Sequence, residues 1–171
     1  MISPIGLTIT KGHFFLAILL TIIFLVVNFT VSSFSLAVPQ APAFAASVLP
    51  FSGTTGQYFV SGLTMPIFEE VVFRLVLVFI IVYLAVKWFG VKEEYALWIA
   101  IILSSVVFAG FHYWAYTMGG YVARSSPFIA AFVFGLVASI VTWKVTRNVL
   151  TALIFHIGVN LVLLTYAFSI A

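Results

Sequence analysis

The sequence contains no cysteine and no aspartate, and each absence excludes a class of chemistry. Without cysteine the chain cannot form disulfides, thiolate metal sites or a cysteine nucleophile. Without aspartate it can build neither a Ser-His-Asp triad nor the paired aspartates of an intramembrane aspartyl protease. Its whole complement of acidic side chains is therefore four glutamates: Glu69, Glu70, Glu93 and Glu94.

Charge of either sign is also scarce, since 6% of the 171 residues are charged and 64% are hydrophobic. Roughly a quarter of the residues in an ordinary soluble domain are charged. A fold of this size could not cover its surface with so few charges, so the composition excludes a water-soluble enzyme, and its apolar content excludes disorder. The net charge of +3 includes no basic run, and we expect no nucleic-acid partner.

Five apolar segments are each long enough to cross a bilayer, which takes about 20 apolar residues. They run from about 13 to 38, from 58 or 66 to 88, from 95 to 116, from 126 to 143 and from 148 to 170. Lipid cannot satisfy backbone polar groups, so each segment must be helical. We predict an all-α, polytopic membrane bundle of about five transmembrane helices, with a loop over residues 39–56.

The positions of the basic residues predict the orientation of this bundle. Five spans place all but one of the loop cations on one face: Lys11, Lys87, Lys92, Lys144 and Arg147. The opposite face has only Arg124. Because Lys and Arg are retained in the cytoplasm, we expect a multi-pass protein of the cell membrane with a cytoplasmic amino terminus. Signal-peptide cleavage near residues 43–45 is disfavoured, because Ala43-Phe44-Ala45 lies well beyond the apolar core of the first span.

Three charged residues interrupt the second span, where a buried charge costs at least ~2.5 kcal/mol. They are Glu69, Glu70 and Arg74. Residues four apart share a helix face, so we expect Glu70 and Arg74 to form a structural ion pair. Glu69 is rotated by about 100° and can point elsewhere. One arginine does not easily neutralise two carboxylates, which makes Glu69 the stronger functional candidate.

Two further spans carry polar side chains in apolar surroundings. The third contains His112, four residues after Phe108, and the fifth contains His156 and Asn160, which share a helix face. Each would be costly against lipid, so each should turn inward, and in a small bundle inward means towards the others. We therefore expect a wet pocket shared by these groups and Glu69, within the membrane and towards the outer face.

Taken together, three motifs resemble the CPBP family of CAAX proteases and bacteriocin-processing enzymes, also called the Abi family. They are Glu-Glu-x-x-x-Arg (69–74), Phe-x-x-x-His (108–112) and His-x-x-x-Asn (156–160), in that order on successive hydrophobic segments. The resemblance covers about residues 62–164, and Leu75 departs from a glycine that is common in the family. It implies that residues 1–57, a first transmembrane helix and polar loop, lie outside the family core. Residues 58–171 would form a catalytic membrane domain of about four helices.

The resemblance implies an intramembrane endopeptidase that acts in the lipid bilayer on a peptide or protein substrate, prenylated in some members. Carried over by motif, Glu69 and His112 would activate water, and His156 and Asn160 would form the oxyanion hole. Supporting roles would fall to the remaining motif residues: Glu70, Arg74 and Phe108. An outer-face site is awkward for a CAAX protease, because the tail of its substrate is cytoplasmic.

The residues themselves suit this chemistry, since amide hydrolysis needs a base, a proton donor and donors to the developing oxyanion. We expect no cofactor. The alternative is zinc held by Glu69, His112 and His156, and we disfavour it because His-Glu-x-x-His is absent. Two other function classes stay open. One is a non-catalytic peptide-binding or bacteriocin-immunity protein of the same fold, and the other is a transporter, which lacks support from any inverted repeat.

Overall fold

The computed structural model describes residues 5–34, 55–118 and 125–169, and it confirms the all-α prediction. Within these ranges the chain forms five helices and no β-sheet. In chain order they are α1 (Lys11–Phe34), α2 (55–89), α3 (Glu93–Met118), α4 (125–145) and α5 (Val149–Ser169).

Two of the five helices contain π-helical segments. In α2 the α-helical Thr55–Glu69 and Leu77–Phe89 flank a π-helical segment, Glu70–Val76. In α4 the α-helical Ser125–Ile140 continues into the π-helical Val141–Val145. The apolar spacing of the sequence predicts regular α-helices, and neither π-helical segment follows from it.

All five described helices are apolar, and three of them are long enough to cross a membrane. Three stretches have the length and composition to cross a bilayer: Gly62–Phe89, Glu93–Ala115 and Phe128–Val145. Lys11–Val27 and Val149–Thr165 are shorter apolar helices. Large apolar side chains such as Phe15 and Phe79 point away from the bundle, as expected where lipid is the solvent. The chain is an integral membrane protein.

The predicted segments match the helices, and α2 has the earlier of its two predicted starts. It begins at Thr55, so Pro66 lies inside the helix. Most of the predicted loop over residues 39–56 lies outside the described residues. So do the Ala43–Ala45 cleavage motif and Arg124.

Local signals explain the helix ends. Gly90 ends α2 in the left-handed conformation, with φ 63°, which glycine adopts without steric cost. Glu93 and Glu94 lie in the first turn of α3, where carboxylates favour the helix dipole. The Asn148 side-chain oxygen accepts the Leu150 N–H at 2.9 Å and caps α5.

Contacts between distant segments bring four chain regions to one end of the bundle, which we call the charged end. Lys144 Nζ, near the end of α4, lies 4.0 Å from Glu94 Oε1 at the start of α3. The Gly6 N–H donates to the Arg147 carbonyl at 2.7 Å, which ties the amino-terminal segment to the start of α5. The predicted grouping of the basic loops agrees with these contacts.

The amino-terminal helix α1 packs tightly on α5, the helix that carries His156 and Asn160. A Cβ added at Gly158 would lie 2.8 Å from Thr21 Oγ1, so the close approach requires glycine. Thr21 Oγ1 also donates to the Ala17 carbonyl of its own helix at 2.9 Å. The first helix therefore buttresses the helix that positions part of the candidate site.

Candidate active site

The structure brings the motif residues of three helices together inside the bundle. Five of them are at most 5% exposed: Glu69, Glu70, Arg74, His156 and Asn160. Phe108 is equally buried, whereas the His112 side chain retains 18% exposure. The site is therefore enclosed on most sides, and its most accessible polar group is His112.

A single oxygen of Glu69 faces two imidazole rings. Glu69 Oε2 lies 3.4 Å from His156 Nε2 and 3.8 Å from His112 Nε2. The carboxylate comes from α2 and the two rings from α5 and α3, so only the folded chain creates this convergence. The arrangement places a carboxylate oxygen and two titratable nitrogens around one small volume.

Glu70 contacts His156 as well as its predicted partner Arg74. Its Oε1 lies 2.9 Å from His156 Nδ1, and its Oε2 lies 3.4 Å from Arg74 Nε. The expected Glu70–Arg74 pair is present, but both glutamates reach one imidazole, from its two ring nitrogens. Spacing along α2 did not predict that both glutamates contact His156, because it gives no information on where α5 packs.

Phe108 links Arg74 to His112. The Arg74 guanidinium lies 4.4 Å from the centroid of the Phe108 ring, a cation–π distance. The rings of Phe108 and His112 are 4.2 Å apart, and the Phe108 carbonyl lies 3.0 Å from His112 Nδ1. A carbonyl only accepts hydrogen bonds, so His112 Nδ1–H donates to it and Nε2 is left facing Glu69.

An aromatic cluster around His156 was missed by the sequence analysis. The Phe134 ring of α4 lies 4.6 Å from the His156 ring and stacks on Phe155 at 4.7 Å. Phe24 of α1 meets Phe134 edge to face at 5.4 Å. Phenylalanine is frequent throughout this sequence, so no spacing signal could have distinguished these three rings.

Pro66 and Gly62 help to position Asn160. A proline has no N–H, so Pro66 cannot donate to the carbonyl four residues earlier, which is that of Gly62. The Asn160 side-chain amide donates to this carbonyl at 3.5 Å. A Cβ at Gly62 would lie 2.5 Å from Leu164 Cδ1, so a larger residue there would need only the Leu164 side chain to move.

The depth of the site depends on which helix is followed from the charged end. His112 lies about 28 Å from Glu93 along α3, in agreement with a position near the opposite end. His156 is only about 10 Å from Val149 along α5. The site is thus far from Glu93 along α3 and close to the first turn of α5.

The zinc alternative requires Glu69, His112 and His156 to act as metal ligands. Over the part of the chain that the structure describes, no three His, Cys, Asp or Glu side chains are arranged to hold a metal ion. The bond from His156 Nδ1 to Glu70 would be compatible with either alternative, because a histidine that binds a metal commonly donates its other N–H to a carboxylate. Asn160 is a poor zinc ligand.

One family model matches the part of the chain that contains the site. The family model described as type II CAAX prenyl endopeptidase Rce1-like matches residues 51–162, more than half of the chain. The match includes every motif residue of the site and excludes α1. No curated protein and no solved structure matches this chain.

Proposed function

We propose that this chain, which belongs to the type II CAAX prenyl endopeptidase Rce1-like family, hydrolyses a peptide bond within the membrane with a glutamate- and histidine-activated water. The family acts on peptide or protein substrates in membranes. One observation carries the proposal for this chain: Glu69 Oε2 faces the Nε2 atoms of His112 and His156 inside the bundle.

Glu69 and His112 would hold the attacking water. The 3.8 Å between Glu69 Oε2 and His112 Nε2 is too long for a direct hydrogen bond, and such a gap between polar atoms suits a bridging water. With its Nδ1–H bound to the Phe108 carbonyl, neutral His112 offers Nε2 as an acceptor. A water donating to both acceptors would lose a proton to Glu69 as its oxygen attacks the peptide carbonyl.

His156 and Asn160 would stabilise the oxyanion formed by that attack. Among the described residues the Asn160 amide donates one long bond, to the Gly62 carbonyl, so its second N–H would be available to a substrate. His156 can donate from both ring nitrogens only as an imidazolium, with Nδ1–H on Glu70 and Nε2–H towards the reacting centre. Two cations, His156 and Arg74, would then balance the two glutamates.

The substrate we propose is a CAAX-type prenylated protein tail, as the family description indicates. Two features of the described residues support its entry. His112 is the most exposed group of the site, and His156 lies about 10 Å along α5 from Val149. With the charged end in the cytoplasm, as the basic loops predict, a cytoplasmic tail would approach His156 past the first turn of α5.

Purified protein in lipid nanodiscs, given a prenylated CAAX-type peptide with a fluorescence-quenched cleavage reporter, tests the proposal. Glu69→Gln should lose nearly all turnover, because the amide cannot accept the proton from water. Glu94→Gln is the matched control, since Glu94 is 76% exposed at the charged end and should cleave normally. Undiminished cleavage by Glu69→Gln would contradict the assignment, and peptide binding without cleavage by the unmutated protein would favour the peptide-binding alternative.

The metal question has its own measurement. We propose metal-free catalysis, so extensive chelation followed by metal analysis should leave the rate unchanged in protein with no bound zinc. Loss of activity on chelation, restored by stoichiometric zinc, would contradict this part of the proposal alone. Comparison of protein carboxyl termini in cells with the active enzyme or Glu69→Gln would then identify the substrate and the scissile bond.

A further inference from the structure

A single side-chain bond joins the two π-helical segments of the bundle. The Trp143 indole N–H, in the segment Val141–Val145, donates to the Arg74 carbonyl, in the segment Glu70–Val76, at 2.7 Å. Trp143 is 3% exposed and Arg74 is fully buried. This bond connects α4 to the part of α2 that carries the ion pair of the candidate site.

The π-helical segment of α2 sets the directions in which its charged side chains point. Such segments are rare, usually short, and frequent at functional sites. Return of Glu70–Val76 to a regular α-helix would shift the register by one residue, a rotation of about 100° between the residues before and after it. Glu70 begins this segment, so the shift would turn it relative to the residues that follow and misalign its contact with His156, which comes from another helix.

Trp143 is well placed to hold this geometry from outside the site. Its ring is fixed in a buried apolar cluster shared by α2 and α3, which includes Val78, Val82, Leu97 and Ile101. A rigid ring can aim its single N–H at one acceptor, and the Arg74 carbonyl is that acceptor. Within a bilayer no bulk water can replace a lost donor, so the interaction costs more to break than it would at a surface.

We propose that Trp143 is a positioning residue of the reaction, which keeps Glu70–Val76 π-helical through the Arg74 carbonyl and so keeps Glu70 on His156. The inference rests on the proposed function for its effect on turnover. Its structural part, the dependence of the Glu70–His156 bond on the Trp143 N–H, does not rest on it. Trp143 itself touches none of the reacting groups.

The cleavage experiment removes the N–H of Trp143 while keeping an aromatic ring at this position. One variant is Trp143→Phe. A second, introduced by codon suppression, replaces Trp143 with benzothienylalanine, whose sulfur substitutes for the indole N–H in a ring of the same shape. We expect kcat for the prenylated reporter peptide to fall about tenfold in both, as for a buried acceptor that loses its donor, with KM unchanged. Trp88→Phe is the matched control, because Trp88 is 73% exposed on α2 and should keep the full rate.

A spectroscopic measurement separates this inference from the proposed function. In protein with ¹⁵N-labelled histidine, the Nδ1 signal of His156 reports its bond to Glu70, and His13→Gln and His112→Gln variants assign the three rings. We expect this signal to move in the benzothienylalanine protein and to stay in place in Trp88→Phe. The expected shift in protein that never cleaves would contradict the protease and support the positioning role.

Two results would overturn the inference. One is an unchanged His156 signal in the benzothienylalanine protein, whatever its turnover. The other is failure of that isosteric protein to fold, which would make the bond a requirement of the fold rather than a means of positioning Glu70. Trp143→Phe alone cannot decide between these results, because it also changes the volume of the ring.

Discussion

The bundle contains two acid–base pairs of similar chemistry in opposite environments. Lys144 and Glu94 lie 4.0 Å apart at the charged end, where their side chains are 24% and 76% exposed. Arg74 and Glu70 lie 3.4 Å apart inside the bundle, at 0% and 1%. Water solvates the first pair whether or not it forms, so it contributes little to stability. The second pair is buried, so either charge would be strongly unfavourable without its partner, and the contact of Glu70 with His156 makes the pair part of the candidate site.

The comparison also separates what each pair does for the molecule. The charges at the end sit in loops and helix termini, where they can favour one orientation in the membrane. Burial of the internal charges costs free energy of desolvation. Leucine in their place would fill the same space without this cost. In the structure Glu70 contacts His156 while Arg74 neutralises Glu70, so the internal pair serves to position an imidazole.

Substitution of the internal histidines should produce the largest difference in cleavage rate between the inside of the bundle and the charged end. His112→Ala and His156→Ala should each reduce cleavage of a prenylated reporter peptide by about 10³-fold, because each removes a group proposed to handle the proton or the oxyanion. Insertion into the membrane should be normal. His13→Ala is the control and should keep its rate, because His13 Nδ1 lies 3.2 Å from the Asn148 side chain at the charged end, away from the site. Near-normal cleavage by either internal variant would remove that histidine from the mechanism.

The two ion pairs should differ most clearly in stability. Arg74→Met leaves Glu70 as a buried charge without its cation, and should destabilise the protein by about 3 kcal/mol in an SDS titration from mixed micelles. Lys144→Met should change stability by no more than about 0.5 kcal/mol. Glu70→Gln added to Arg74→Met should recover part of the loss, because it removes the unpaired charge. Equal effects of the two single variants would mean that burial does not distinguish the pairs.

The weaker of the proposed oxyanion donors should have an intermediate effect. Asn160→Ala should lower kcat about 10²-fold with little change in KM, as for the loss of one oxyanion donor. The measurement is steady-state cleavage of the same peptide, and Thr165→Ala, an exposed position on α5, is the control. An undiminished rate would remove Asn160 from the site.

The smallest effect concerns the backbone of α2. In Pro66→Ala the new backbone N–H can donate to the Gly62 carbonyl. It then competes with the Asn160 amide for this acceptor. We expect kcat to fall about threefold, in keeping with a weak hydrogen bond that is partly replaced. A rate equal to that of the unmutated protein would show that Asn160 needs no support from α2.

Much of the site could be predicted from the chain alone, because a charge or an imidazole in an apolar segment is expensive and stands out. This reasoning selected Glu69, Glu70 and Arg74 in one span, His112 in the next and His156 with Asn160 in the last. It could not select Phe134, Phe24 or Trp143, because aromatic residues are common along every span and only their neighbours distinguish them.

The amino-acid sequence by itself determined the membrane bundle, its five helices within the described residues and the segments that carry the polar groups, because these follow from hydropathy and spacing along one dimension. Only the tertiary structure decided that Glu69 and Glu70 meet the two nitrogens of His156, and that α2 turns π-helical between Glu70 and Val76. Both depend on where α3, α4 and α5 pack against α2. That packing is a balance of contacts between distant segments, and no local pattern in the chain records it.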